Sequence, residues 1–211
     1  MRFDVITIFP EMFEGFAKES LLAKAQEKGL VEMHFHNLRD YAEGKHKVVD
    51  DTAYGGGPGM IIMVEPIYKA LKDIKLKGKK KVKTVFLTPR GEMYTQKTAQ
   101  TWSKLDQLII VSGRYEGVDE RVKDLVDEVI SVGDYILLGG EVPAMTIIDS
   151  TARLIPGVVG QRESIEKVNF PQYTKPASFK AGRKKLDVPE VLTSGDHKKI
   201  KEWRDKHSLD W

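Results

Sequence analysis

At 211 residues, 41% apolar and 31% charged, the chain suits one large soluble domain or a medium domain with a small appendage. Its lack of cysteine excludes disulfides and thiolate-bound metal clusters, as expected in a reducing cytoplasm, and no apolar run reaches the ~20 residues of a membrane helix. The net charge of +3 is unevenly spread: 12 Lys and Arg face 8 Asp and Glu from Gln161 onward, while the first 160 residues hold 22 against 23. That basic tail makes a polyanion a candidate partner, with a solvated basic face as the alternative.

Arg2 to Phe9 alternates around Phe3, Val5, Ile6 and Ile8 and stops at Pro10, which predicts a strand; it lacks the basic start and long apolar core of a signal peptide. Glu11 to Lys28 carries apolar residues at helical spacing, from Met12 and Phe13 to Leu22 and Ala25, with Gly29 as its stop. Val31 to His36 reads as a second strand, so the chain opens as a parallel βαβ unit. Lys45 to Met60 is a long loop dense in glycine, with Asp50, Asp51 and Tyr54, but without the lysine–serine/threonine ending of a P-loop. Loops of that length are usually functional or disordered, and its composition favours function. A helix follows over Glu65 to Asp73, and the six lysines within Lys75 to Lys83 read as a solvated turn. Thr84 to Leu87 is a buried strand, with Thr88-Pro89-Arg90-Gly91 as the turn that closes it. Helices over Gln96 to Leu105, Asp119 to Val126 and Pro143 to Ile155 alternate with strands over Gln107 to Ser112 and Glu128 to Val132. Pro143 stands in a first turn, where a missing amide is harmless. Gln161 to Lys185 is polar and aperiodic and reads as a linker; Val191 to Trp211 predicts an amphipathic helix capped by Ser194.

Nucleophile-triad hydrolysis lacks its signature, for there is no Gly-x-Ser-x-Gly elbow and no cysteine. No Gly-x-Gly-x-x-Gly follows the first strand, so the dinucleotide-binding fingerprint is missing too. His34 and His36 fall on one side of a strand; a packed or solvent-facing pair is the expectation, and no metal ligand is assigned. Three loop tips remain, Leu87 to Gly91, Gly113 to Gly117 and Ser131 to Gly140. Ligands collect at the carboxyl ends of strands in open α/β sheets, and glycine lets main chain approach them. Leu87, Val132, Leu137 and Leu138 with Tyr115 and Tyr135 suit a flat heteroaromatic ring whose edges backbone groups would read, and Glu116 would face a hydroxyl or a positive centre. A nucleoside-type cofactor is the ligand class indicated; tight turns that only pack strands on helices are the alternative.

Several blocks resemble the bacterial tRNA (guanine-37-N1)-methyltransferases. They include Val-Asp-Asp-x-x-Tyr-Gly-Gly-Gly-Pro-Gly-Met at Val49 to Met60, Gly-Arg-Tyr-Glu-Gly-Val-Asp-Glu-Arg-Val at Gly113 to Val122 and Ser-Val-Gly-Asp-Tyr at Ser131 to Tyr135. Gly-Gly-Glu-Val-Pro-Ala-Met at Gly139 to Met145, Pro-Gln-Tyr-Thr-Lys-Pro at Pro171 to Pro176 and Ser-Gly-Asp-His at Ser194 to His197 extend the match over essentially the whole chain. The resemblance implies an α/β, SPOUT-type knotted parallel sheet flanked by helices, with a small C-terminal helical domain. Residues 1–160 would form the S-adenosylmethionine-binding catalytic domain, 161–175 the interdomain linker and 176–211 the tRNA-binding domain, which ends earlier than the family's. It further implies a cytoplasmic homodimer with active sites at the subunit interface, S-adenosyl-L-methionine as methyl donor, Mg2+ left open as a second cofactor, and tRNA with guanine at position 37 as substrate.

Matched to the family's contacts, Leu87, Thr88, Pro89, Gly113, Tyr115, Glu116, Ser131, Val132, Gly133, Asp134, Tyr135, Ile136, Leu137, Gly139, Gly140 and Pro143 would bind the donor. Leu138 stands where the family usually has a small hydroxyl residue. Asp50, Gly59, Arg183, Lys184, Lys185, Lys198, Lys199 and Arg204 would meet RNA, and Arg153 resembles the catalytic arginine that serves O6 of guanine. The family's catalytic aspartate lies in the linker after a segment like Arg162 to Lys167, yet here Lys167 is followed at once by Val168-Asn169-Phe170-Pro171. No linker aspartate inherits that role, and the nearby Glu163 and Glu166 do not match the motif. The expectation is a missing linker segment between Lys167 and Val168; an unbroken peptide there, with Cα atoms ~3.8 Å apart, would instead imply a weakened or inactive enzyme.

Overall fold

The computed structural model describes residues 1–76, 78, 81–160 and 170–208, in two compact units, Met1–Val159 and Gly160–Trp211. In the first unit, strands β1 (Arg2–Thr7), β2 (Glu32–Asn37), β5 (Val82–Met93), β6 (Gln107–Ser112) and β7 (Glu128–Ser131) form a parallel sheet in the order β2-β1-β6-β5-β7. A short antiparallel pair, β3 (Asp50–Asp51) and β4 (Ile61–Ile62), stands apart from it. Helices α1 (Glu14–Lys18), α2 (Ser20–Glu27), α3 (Val64–Ile74), α4 (Gln96–Trp102) and α5 (Glu141–Ala152) complete the unit with short 3-10 turns.

Strand β6 shows why the sheet is a middle layer. All six of its residues are buried, which is how a parallel strand covered on both faces reads in sequence. Side chains alternate along a strand. Leu108 and Ile110 therefore join Phe3, Val5 and Val85 in one core, with Ala25 of α2, Trp102 of α4 and Ile147 and Ile148 of α5. Ile109 and Val111 join Ile6 and Phe86 in the other, against Ile67, Ala70 and Ile74 of α3.

Several expected elements change shape. The helix over Glu11 to Lys28 is broken, because Glu19 is extended and Ser20 takes a φ of 60°. The turn at Thr88 to Gly91 is instead an excursion inside β5, where Leu87 and Glu92 both face Ile130 of β7. Pro89 has no amide to give a ladder, so the chain leaves register there and rejoins it. Asp119 to Val126 winds as a 3-10 helix over Glu120–Leu125, with the Asp119 side chain accepting from Arg121 N at 3.0 Å. Helix α5 starts at Glu141 and ends at Ala152, earlier at both ends than its apolar pattern suggests.

In the second unit, β8 (Ser178–Ala181) and β9 (Lys184–Asp187) form an antiparallel hairpin where Gln161 to Lys185 reads as an aperiodic linker, extending two residues past its end. Helices α6 (Glu190–Thr193) and α7 (His197–Lys206) follow. Asp196, not Ser194, caps α7, its carboxylate accepting from Lys198 N and Lys199 N at 3.1 Å each. The Trp203 ring stacks on His207 at 4.2 Å and meets Tyr173 at 6.2 Å, and Arg204 lies over Phe170 at 5.1 Å. One ring stack, one edge contact and one cation–π contact supplement the hairpin's hydrogen bonds in this unit, for none of its described residues is fully buried.

At the amino end of the sheet a charge is buried. Asp4 has no exposed surface; its carboxylate accepts from Arg2 Nε and Nη2 at 2.8 and 2.7 Å and from Gln107 Nε2 at 2.8 Å, and pairs with His36 Nε2 at 2.7 Å. Burial by itself would push its pKa up, but the bonds from His36, Arg2 and Gln107 outweigh it and hold the carboxyl below its ordinary value. A lowered folded-state pKa means stability present above the unfolded value of ~3.9 and lost as pH falls through the folded one. Asp4→Asn is expected to cost about 3 kcal/mol at pH 7 and to flatten the stability loss below pH ~4, read by urea unfolding across that range.

Candidate active site

The three loop tips meet. The excursion within β5 and the loops that follow β6 and β7 enclose a cavity of ≈ 410 Å³ at the carboxyl edge of the sheet, bounded by the bulge at Thr88 to Arg90, the Gly113 to Val118 loop and the Ser131 to Gly140 loop. That volume and its mostly apolar walls fit a nucleoside-sized ligand. Every residue expected to contact the donor lines it except Asp134, which stays outside. Leu138 lines it as well, although its side chain is 90% exposed.

Each wall is set by local chemistry. The excursion around Pro89 pushes Thr88, Pro89 and Arg90 out of the ladder and into the cavity wall. Tyr115 holds a φ of 58°, a conformation that costs a non-glycine residue energy and that clusters at functional sites. Ser131 Oγ donates to Gly133 O at 2.9 Å, which closes the turn after β7. Gly140 N donates to Gly113 O at 2.8 Å, so the start of α5 is tied to the end of β6. Glu116 N donates to Met60 O and Ile62 N to Gly117 O, at 3.2 and 3.0 Å, which brings the glycine-rich loop to the cavity rim. Gly59, at φ +75°, abuts Glu116 so closely that a Cβ would sit 2.5 Å from its Cγ. Asp50 lies on β3, half-buried, opposite Ile62.

Arg153 is not among the cavity-lining residues. It is exposed and forms the C-cap of α5, twelve residues beyond Glu141 and so about 18 Å along the helix. Tyr94 pins that end of α5, its hydroxyl 2.8 Å from Ser150 Oγ and 3.0 Å from Thr151 Oγ1, and burial pushes the phenol pKa up. The other basic candidates belong to the second unit: Arg183, Lys184 and Lys185 at the hairpin turn and on β9, Lys198, Lys199 and Arg204 on α7, all exposed. The Lys167–Val168 junction, with Glu163 and Glu166, lies outside the described residues.

Sequence reasoning passed over four charged residues. Arg90, Arg114 and Glu120 line the cavity, and Glu141 sits fully buried behind it, paired with Arg114 at 2.8 Å. Arg114 stands inside a glycine-bounded motif and Glu141 follows two glycines, which marks each position but not the pairing between them. His34 and His36 stack at 6.3 Å, and the structure gives His36 to Asp4. Among the described residues, no three His, Asp or Glu side chains gather to hold a metal ion.

Comparison with known proteins agrees with this geometry. The chain matches the family described as "tRNA (Guanine-1)-methyltransferase TrmD" over residues 1–210. It is 48% identical to a tRNA (guanine-N(1)-)-methyltransferase of Dictyoglomus turgidum, across 99% of this chain and 85% of that protein. Enzymes of the same name from Clostridioides difficile and Carboxydothermus hydrogenoformans are 46% and 49% identical, each across 99% of this chain and across 93% and 83% of their own lengths. Those alignments span 216 to 218 positions, more than the chain's 211 residues, so these relatives carry residues without a counterpart in it. The parallel sheet with helices on both faces and a cleft at its carboxyl edge fits a SPOUT-type α/β fold, and the chain belongs to the tRNA (guanine-1)-methyltransferase family.

Proposed function

We propose that this protein transfers a methyl group from S-adenosylmethionine to N1 of guanine 37 in tRNA. The observation that carries the reading is the convergence of three separated loops on one nucleoside-sized cavity, in a chain matched to the family from end to end. When bound, S-adenosylmethionine supplies an electrophilic methyl on a sulfonium sulfur. The apolar walls from Leu87, Val132 and Leu137 would hold the adenine ring, with main-chain groups of the Ser131 to Gly140 loop reading its edge. The walls align donor with acceptor, which is a matter of positioning.

Guanine N1 carries a proton near neutral pH, and that proton must pass to a base as the new bond to carbon forms. Negative charge then grows on O6, and a guanidinium meets it best. Arg153 takes that role in this reading. Its place one helix length from the cavity supports a homodimer in which the substrate guanine lies between protomers. The cavity's outer wall supports the same reading, because Ile136 and Leu138 are 87% and 90% exposed and apolar surface of that kind marks contact sites. The return of α5 from the sheet edge at β7 to the end of β6 supports a knotted chain path. The basic residues of the second unit would grip tRNA phosphates. No helix among the described residues is long and apolar enough to cross a membrane, and a cytoplasmic setting suits a tRNA substrate.

The direct Lys167–Val168 junction favours a second reading, in which a relative without the linker aspartate binds donor and RNA but turns over slowly or not at all. Methyl transfer to tRNA transcripts that differ only at position 37 separates the two. Transfer that requires guanine there supports the first; donor and tRNA binding without transfer supports the second; transfer independent of that base defeats the assignment to guanine 37. In an active protein Arg153→Ala is expected to lower the rate roughly 10²–10³-fold, with the donor dissociation constant within about twofold. Equal losses in both would remove Arg153 from O6.

tRNA affinity should fall steeply with salt, by roughly 0.7–0.9 in log–log slope for each phosphate contact. Replacing Lys198, Lys199 and Arg204 with Ala is expected to flatten that slope by about 2 to 3. An affinity indifferent to salt would overturn the phosphate assignment.

A further inference from the structure

The loop from Tyr135 to Gly140 forms one wall of the cavity, yet it has little apolar burial to hold it. Ile136 and Leu138 are almost wholly exposed, and Tyr135 is more than half exposed. Besides the main-chain bond from Gly140 to Gly113, what holds it is charge. Arg114 Nε donates to Glu141 Oε2 at 2.8 Å, Thr7 Oγ1 donates to Glu141 Oε1 at 2.7 Å, and Arg114 Nη1 reaches Leu138 O at 3.4 Å. The guanidinium also lies 4.9 Å from the centre of the Phe9 ring, with Nη2 3.1 Å from Met12 Sδ. The two charged side chains are 19% and 1% exposed. Gly139 is pressed into the pair, and a Cβ there would overlap the Arg114 side chain and come within 2.6 Å of Glu141 Oε2.

One ion pair thus joins the ends of β1 and β6, the donor-side loop and the first residue of α5. Glu141 sits where the helix dipole favours a carboxylate, so the anion is stabilised from three sides. Buried ion pairs are seldom the best way to stabilise a fold, because a well-packed apolar pair commonly does as well. Their advantage is a single geometry. We propose that Arg114 and Glu141 are positioning residues for the methyl donor: they hold the Tyr135 to Gly140 loop in the one shape that closes the cleft around S-adenosylmethionine. This rests on the reading that the cleft takes that donor. Neither side chain needs to touch it.

The test is calorimetric titration of S-adenosylmethionine into the full-length protein and into the double variant Arg114→Met/Glu141→Leu, which replaces the pair with apolar side chains. Thr7 Oγ1 keeps a partner in that variant, since it accepts from Phe9 N at 3.0 Å. Expected are a melting temperature close to the parent's, a donor dissociation constant raised at least tenfold, and a tRNA dissociation constant within twofold. Amide hydrogen exchange should quicken at Ile136 to Gly140 while β1 and β6 stay protected. Donor binding within twofold of the parent, with a slow-exchanging loop, overturns the proposal and leaves the pair a brace of the fold. Should the double variant fail to fold, Glu141→Gln carries the same measurement, and unchanged donor affinity there overturns it equally. A parent protein that binds no donor defeats the functional reading instead, so the two failures are told apart.

Discussion

Burial of β6 on both faces is the constraint from which the rest of the larger unit follows. A strand with apolar side chains on either side must be covered twice, and the chain does this with α2, α4 and α5 on one face and α3 on the other. Helices over both faces leave a parallel sheet reachable only at its ends. The amino end is closed by polar bonding: Gln107, the first residue of β6, donates to Asp4 and to Ile74 O and accepts from Leu76 N. The carboxyl end is therefore where a ligand can enter, and the cavity is there.

Turning strand ends into a cavity requires loops that do not collapse onto one another. Pro89 keeps the excursion in β5 out of the ladder, Tyr115 is held at a positive φ, and Ser131 spends its hydroxyl on its own turn. The glycines are used differently from what the sequence suggests. They read as room for bare backbone to approach a ligand, yet the space saved at Gly59 and Gly139 is filled by Glu116, Arg114 and Glu141 of the same chain. Close loop-to-loop packing, with the cavity left between, is what those positions achieve.

Much of this was legible from residues. The continuous apolar run of β6, the βαβ opening and the convergence of the three glycine-bearing stretches on one cavity correspond to what folds there, although Thr88 to Gly91 does so as an excursion within β5. Where local pattern and tertiary burial disagree, the fold departs from the sequence pattern. Apolar spacing alone cannot show that Ser20 adopts a left-handed conformation, so one helix was expected where two form. The hairpin of Ser178 to Asp187 went unread because Phe179 and Leu186 alternate among lysines in strands without one buried residue. Asp196 outcompetes Ser194 as cap by accepting two amides with one carboxylate oxygen. Glu141 was missed for a deeper reason: its partners Thr7 and Arg114 are 134 and 27 residues away, and no local pattern announces a pair of that kind.

In the proposed function, the division of charge along the chain suits two ligands of opposite sign. The first 160 residues carry 22 basic against 23 acidic side chains, and the remainder 12 against 8. The sulfonium donor of the proposed reaction is a cation, and the buried Glu141–Arg114 pair adds no net charge beside the cleft. A tRNA is a dense polyanion whose attraction is governed by counterion release, so basic side chains serve it best where they stay solvated until contact. The second unit offers that, with lysines and arginines exposed on β9 and α7 and Trp203 packed against Tyr173 and His207.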